Sequence, residues 1–209
     1  MSAIICPTIT AYDDATYSKQ IENVKSFATR IHIDLMDGVF APTKSVGLDK
    51  VWWPDNLQAD IHLMFKNPNN EIDNLIRLKP NLVVIHIEAD VSHQDFSEKL
   101  NENGIKTGIA LLHDTPLESI NSVARYYEHI LIFSGHLGYH GGEADLNILS
   151  KVRNVCILYP EKEISWDGGI NDVNAKQIVE AGVSVLNVGG YIQANSNPQE
   201  AYAKLETSL

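Results

Sequence analysis

The stretch Ile4-Ile5-Cys6-Pro7-Thr8-Ile9-Thr10 decides between two architectures. Its β-branched residues read as a strand over 4–9. An open doubly wound sheet would carry a glycine-rich turn straight after its first strand, where backbone must approach a phosphate closely. Cys6 to Thr10 contains no glycine. Similar runs recur at 30–36, 60–64, 82–88, 106–112, 129–133, 164–167 and 183–188. Between them lie segments of helical period. Tyr17, Ile21, Val24 and Ala28 stand at i, i+4, i+7 and i+11 on one helical face. Leu117, Ile120, Val123 and Tyr127 predict a helix after Pro116, and Asn197-Pro198 predicts the start of the last one, with Asp172 as cap of the helix before it. Eight strands alternating with about eight helices imply a parallel sheet, since parallel neighbours need crossover helices. Eight repeats favour closure into a (β/α)8 TIM barrel, and no linker divides residues 1–209. One compact α/β barrel domain is expected.

Composition narrows the partners. The chain has 27 Asp and Glu against 16 Lys and Arg, a net charge of −11. Binding to nucleic acid needs a concentrated basic surface, and no basic cluster appears, so no nucleic-acid partner is expected. Anionic membranes would repel such a surface, and no apolar run approaches the roughly 20 residues of a membrane helix. Residues 1–6 carry no basic side chain, so no secretory leader is expected. Cys6 and Cys156 lack metal-pair spacing and should stay reduced, which suits a cytoplasmic protein.

Strand alternation sorts the chemistry. In Ile31-His32-Ile33-Asp34-Leu35-Met36 the aliphatics share one face and His32, Asp34 and Met36 the other. In a barrel the aliphatic face meets the helices, so the polar set points into the lumen. His62 and Met64 do the same on the third strand. Asp167 faces inward at the C-terminal end of the seventh, where active sites of this fold lie. Two imidazoles and two carboxylates thus converge, and a divalent cation would satisfy all four at once. Mixed N and O ligands suit Zn, with Mn or Fe as alternatives. A hydrogen-bonded His–Asp network without an ion is the other reading. Met36 and Met64 either fill core or shield an anionic intermediate from water. Gly138, Gly141 and Gly142 follow the sixth strand, Gly168 and Gly169 the seventh, Gly189 and Gly190 the eighth. Three glycine clusters at adjacent strand ends predict an anion cradle.

These residues resemble a family. His32-Ile33-Asp34-Leu35-Met36-Asp37-Gly38, Asp60-Ile61-His62-Leu63-Met64, His86-Ile87-Glu88-Ala89 and Asp167-Gly168-Gly169-Ile170 closely resemble the ribulose-phosphate 3-epimerases. Related sugar-phosphate decarboxylases place a lysine where this chain has His62. The resemblance implies an isomerase of the pentose phosphate pathway that converts D-ribulose 5-phosphate to D-xylulose 5-phosphate. It implies that His32, Asp34, His62 and Asp167 bind a divalent metal, with Asp34 and Asp167 also serving as acid and base. It places Thr8, Met36, Met64 and the seven glycines named above around a small sugar phosphate, and it implies a homo-oligomer. The chemistry needs this set, because inversion alpha to a ketone requires enediolate stabilisation and one carboxylate on each face.

The departures concern the substrate. The family's loop after the sixth strand usually reads P-G-F-G-G-Q. Here it is Leu137-Gly138-Tyr139-His140-Gly141-Gly142-Glu143, one residue longer and ending in an acid. Phe133 replaces a methionine, Thr8 a serine, and Gly190 the serine of a Gly-Ser pair; His136 is unexpected. If phosphate is bound, Glu143 should turn outward; if it faces the pocket with His136 or His140, a free sugar is expected. Epimerisation of another ketose, and a non-catalytic sugar-phosphate-binding relative, are the alternative functions.

Overall fold

The computed structural model describes residues 3–139 and 141–209; His140 lies outside the described residues. Strands β1 (Ile4–Thr10), β2 (Arg30–Met36), β3 (Gln58–Met64), β4 (Leu82–His86), β5 (Lys106–Leu111), β6 (His129–Phe133), β7 (Glu163–Asp167) and β8 (Val185–Val188) close into a barrel in chain order. Every neighbouring pair is parallel, and β8 returns to β1 through Ile4↔Val185 to Pro7↔Val188. The expected TIM barrel is what the chain forms.

Helices α1 (Asp14–Val24), α2 (Ile72–Leu78), α3 (His93–Glu102), α4 (Leu149–Leu158) and α5 (Ala175–Glu180) lie in crossovers. The β2–β3 and β5–β6 connections carry only 3-10 turns, and α6 (Gly190–Gln193) and α7 (Pro198–Ser208) follow β8. Asp13 caps α1 by accepting from the Thr16 amide at 2.8 Å, and Tyr17, Ile21 and Val24 bury its inner stripe. Pro198 opens α7 behind Asn197, whose side chain accepts from the Glu200 amide.

Two expectations fail. Residues 117–127 form two 3-10 turns, Leu117–Ile120 and Ala124–Tyr126, with Pro116 before the first. Leu117, Ile120 and Val123 are spaced by three, the period of a 3-10 turn, where an α-helix would need a mix of three and four. Asp172 does not cap α5. It pairs with Lys204 at 2.6 Å, while the Asn171 carboxamide accepts from the Val173 and Asn174 amides.

Parity along the strands makes two cores. Outward aliphatics such as Ile31, Ile33, Leu35, Ile61, Leu63 and Trp166 pack under the helices. Inward Leu82, Val84, Ala110 and Leu131 fill the middle of the lumen. The N-terminal end is plugged by charge. Arg30 donates to Asp60 at 2.6 Å and to both oxygens of Glu163 at 2.9 and 2.8 Å, and His129 bonds Glu163 and Ser165. A bidentate guanidinium–carboxylate pair suits this semi-buried position. The C-terminal end stays open, and the functional groups gather there. Among the described residues no helix is long and apolar enough to cross a membrane.

Candidate metal centre and active site

His32 and Asp34 leave β2, His62 leaves β3 and Asp167 ends β7, all pointing inward. The β2–β3 register sets Asp34 beside His62 and Met36 beside Met64. One ligand atom from each of His32, Asp34, His62 and Asp167 lies within 4.8 Å of the other three, and all four residues are buried. Asp34 Oδ1 is 3.0 Å from His62 Nδ1 and 3.3 Å from His32 Nε2; Asp167 Oδ2 is 3.7 Å from each of the same nitrogens. A tetrahedral ion with bonds of about 2.05 Å would set its ligands roughly 3.3 Å apart, in the middle of this range. His32 Nε2 and Asp167 Oδ2 are buried and have no hydrogen-bond partner among the described residues. The donor set fits a divalent ion.

A chain of contacts behind His62 bears on which of its nitrogens carries the proton. His62 Nε2 is 2.9 Å from His86 Nε2, and His86 Nδ1 is 3.4 Å from Glu88 Oε2. Between two imidazole nitrogens one must donate and the other accept. If Glu88 accepts from His86 Nδ1–H, His86 Nε2 is the acceptor and His62 carries its proton on Nε2. The Nδ1 lone pair of His62 then faces the cluster. With no ion, the 3.0 Å contact of His62 Nδ1 with Asp34 Oδ1 calls for the opposite polarity, His62 donating to Asp34; an ion between those two atoms would favour the first. Glu88 is itself held by the Leu112 amide at 3.2 Å and by the Thr115 hydroxyl.

The electrostatics are those of crowded buried charge. Burial, with the Asp34 carboxylate beside it, pushes Asp167 up to about 8. Burial would also raise Asp34, but the imidazoles of His32 and His62 beside it outweigh this and hold its carboxyl well below the usual range. Burial lowers His62 to about 4, helped by His86, against the pull of Asp34. Burial acts the same way on His32, but Asp34 and Asp167 prevail and raise it. Two carboxylates this close resist joint ionisation unless a cation lies between them.

Above the cluster, Thr8, Met36, Met64, Gly138, Gly141, Gly142, Gly168, Gly169, Gly189 and Gly190 all line one pocket with Asp34 and Asp167. The methionines are both wall and core, since they also pack with Ala41, Phe40 and Leu137. Gly168 and Gly169 have φ of +115° and +70°. A Cβ on Gly168 would strike the backbone of Gly135, and one on Gly169 the backbone of Ala144. These two glycines therefore allow the loop after β6 to lie directly on the turn after β7. Gly138 anchors that loop across the mouth, its carbonyl accepting from the Thr43 hydroxyl. Among the described residues no Lys or Arg lines the pocket.

Glu143 and His136 are exposed and face a neighbouring cavity with His113 and Asp145, away from the central pocket. Thr10 and Asn187 are among the lining residues that escaped the sequence reading. Thr10 donates to Asp34 Oδ2 at 2.8 Å, and Asn187 sits in register with Asp167. Asn187 sits at inward parity on the strand read as 183–188, and Thr10 directly follows the strand read as 4–9 at the parity of Thr8, which was the available signal.

The comparisons agree with this geometry. The ribulose-phosphate 3-epimerase family model matches residues 4–193. A ribulose-phosphate 3-epimerase of Bacillus subtilis is 28% identical over 213 aligned residues, covering 98% of both chains. One from Mycobacterium leprae is 31% identical and covers 98% of this chain and 94% of its own. The solved 3-hexulose-6-phosphate synthase of Salmonella typhimurium superposes with a TM-score of 0.78 over 99% of this chain and 98% of its own, at 12% identity, a likeness of fold alone. With a family match across nearly the whole chain and a His/Asp cluster able to hold an ion, the chain belongs to the ribulose-phosphate 3-epimerase family, isomerases acting on carbohydrates.

Proposed function

We propose that the chain interconverts D-ribulose 5-phosphate and D-xylulose 5-phosphate by removing and returning the proton at the third carbon. The observation that carries this reading is the convergence of His32 Nε2, Asp34 Oδ1, His62 Nδ1 and Asp167 Oδ2 at the open end of the barrel. A divalent ion held there, Zn first, would stabilise the negative charge that builds on the substrate's oxygens once the proton leaves. Asp34 and Asp167 enter from different strands, so each can serve one face of a planar intermediate. One takes the proton and the other delivers one from the opposite side. Each uses the oxygen that does not face the other ligands. The Thr10 hydroxyl fixes that oxygen on Asp34. Met36, Met64 and Phe133 form an apolar wall that keeps water from the intermediate. The phosphate end takes backbone amides near Gly189 and Gly190, an arrangement supported by the outward position of Glu143 and by there being no Lys or Arg among the described lining residues.

Asp34→Asn and Asp167→Asn keep shape and lose the base, so each should lower kcat by about 10²–10⁴-fold with folding intact by circular dichroism. Elemental analysis of protein purified without chelator should find about one divalent ion per four-ligand site. Full activity in demonstrably metal-free protein would contradict the reading.

A further inference from the structure

Asn187 has no role in anything described so far. It interrupts an otherwise apolar strand, Val185-Leu186-Asn187-Val188, at an inward position. Its side chain is 2% exposed and lines the central pocket. Its Oδ1 has no hydrogen-bond partner among the described residues. Shutting an amide away from water with its acceptor unused is unfavourable, and an aliphatic residue would fill the same place without that cost. Such a group is explained when a ligand completes it.

The position says which part of the ligand. Asn187 pairs in register with Asp167 on β7 and with Cys6 on β1, and it precedes the Gly189–Gly190 turn by two residues. It therefore lies between the carboxylate that handles the proton and the turn assigned to the phosphate. In a 2-ketopentose 5-phosphate epimerised at C3, the atoms spanning that interval are C4 and its hydroxyl. A carboxamide offers both a donor and an acceptor, which matches a hydroxyl rather than the phosphate end; the C1 hydroxyl lies beyond the reacting carbon, so the hydroxyl in this interval is the one at C4.

We propose that Asn187 is a specificity-determining residue that hydrogen-bonds the C4 hydroxyl, so that the site selects ketose phosphates hydroxylated next to the reacting carbon. The proposal rests on the epimerase reading above. A site with a buried polar group built to meet a hydroxyl rejects the deoxy analogue strongly, because that group is then left unpaired.

The test compares D-ribulose 5-phosphate with 4-deoxyribulose 5-phosphate in heavy water, reading deuterium uptake at C3. This readout works even for the deoxy compound, whose only stereocentre is C3. The wild type should prefer the hydroxylated substrate by about 10- to 100-fold in kcat/KM, the size of one buried hydrogen bond. Asn187→Leu and the smaller Asn187→Ala should lose about that factor on ribulose 5-phosphate. They should leave the deoxy compound within about threefold, so the preference collapses. Equal losses on both substrates would mean that Asn187 only positions Asp167 or packs the strand, and would overturn the proposal; so would a preference left unchanged. Wild-type inactivity on ribulose 5-phosphate would overturn the epimerase reading and this proposal with it. Wild-type activity with an undiminished preference in the variants would overturn the proposal alone.

Discussion

His86 places its Nε2 2.9 Å from Nε2 of His62, with the two rings stacked at 4.9 Å between centroids. Both side chains are fully buried, so no water competes for this contact. With an ion bound, His86 would accept from His62 Nε2–H and so favour the tautomer that offers Nδ1 to the ion. Partners of this kind commonly set ligand affinity by one to two orders of magnitude.

Removing the acceptor should therefore weaken the metal without touching a ligand. His86→Phe keeps a ring of similar size and loses the nitrogen that accepts from His62. Competition with a chelator should show the dissociation constant for Zn rising about 10- to 100-fold. An unchanged constant in a folded variant would mean that His62 is oriented by packing alone.

Thr10 acts on the other oxygen of Asp34, donating from 2.8 Å to Oδ2. Thr10→Val preserves shape and removes the donor, leaving that oxygen to rotate. A lost hydrogen bond to a charged group corresponds to about tenfold or somewhat more. The effect should fall on kcat with KM nearly unchanged, and Thr10→Ser should restore most of it. A rise in KM alone would place Thr10 on the substrate.

The charged plug at the other end of the barrel governs stability. Burial would raise Glu163, but Arg30 and His129 outweigh it and depress the carboxyl well below its ordinary range. A depressed carboxyl stabilises the fold above the unfolded value of about 4.3, and that contribution is lost as pH falls toward the folded value. Glu163→Gln should cost roughly 1–3 kcal/mol at pH 7, less than a fully buried pair because the side chain is partly exposed. The gap between wild type and variant in urea unfolding should narrow below about pH 4. A gap independent of pH would assign the loss to packing.

Much of this was legible in the chain because barrel strands impose a period of two. Given that period, Ile31 to Met36 sorts itself into a wall and a lumen face, and the candidate ligands His32, Asp34, His62 and Asp167 follow from their parity. The misses have physical causes. Leu117, Ile120 and Val123 follow a period of three, and a stripe this short resembles a helix until the backbone is seen. Asp172 looked like a cap, but Asn171 reaches the same amides and Lys204 draws the aspartate away. His86 and Glu88 stood inside a quoted motif without a role, since only the fold brings β4 against β3 with the rings in contact. Asn187 was the recoverable miss, a single polar residue at inward parity in an apolar strand.

The central claim is two-carboxylate proton exchange at the third carbon. It is tested most directly by converting D-ribulose 5-phosphate in heavy water and locating deuterium in the D-xylulose 5-phosphate formed. The account predicts deuterium at C3 of the product, with the exchange abolished in Asp34→Asn and Asp167→Asn. Xylulose 5-phosphate formed without deuterium at C3 would contradict it.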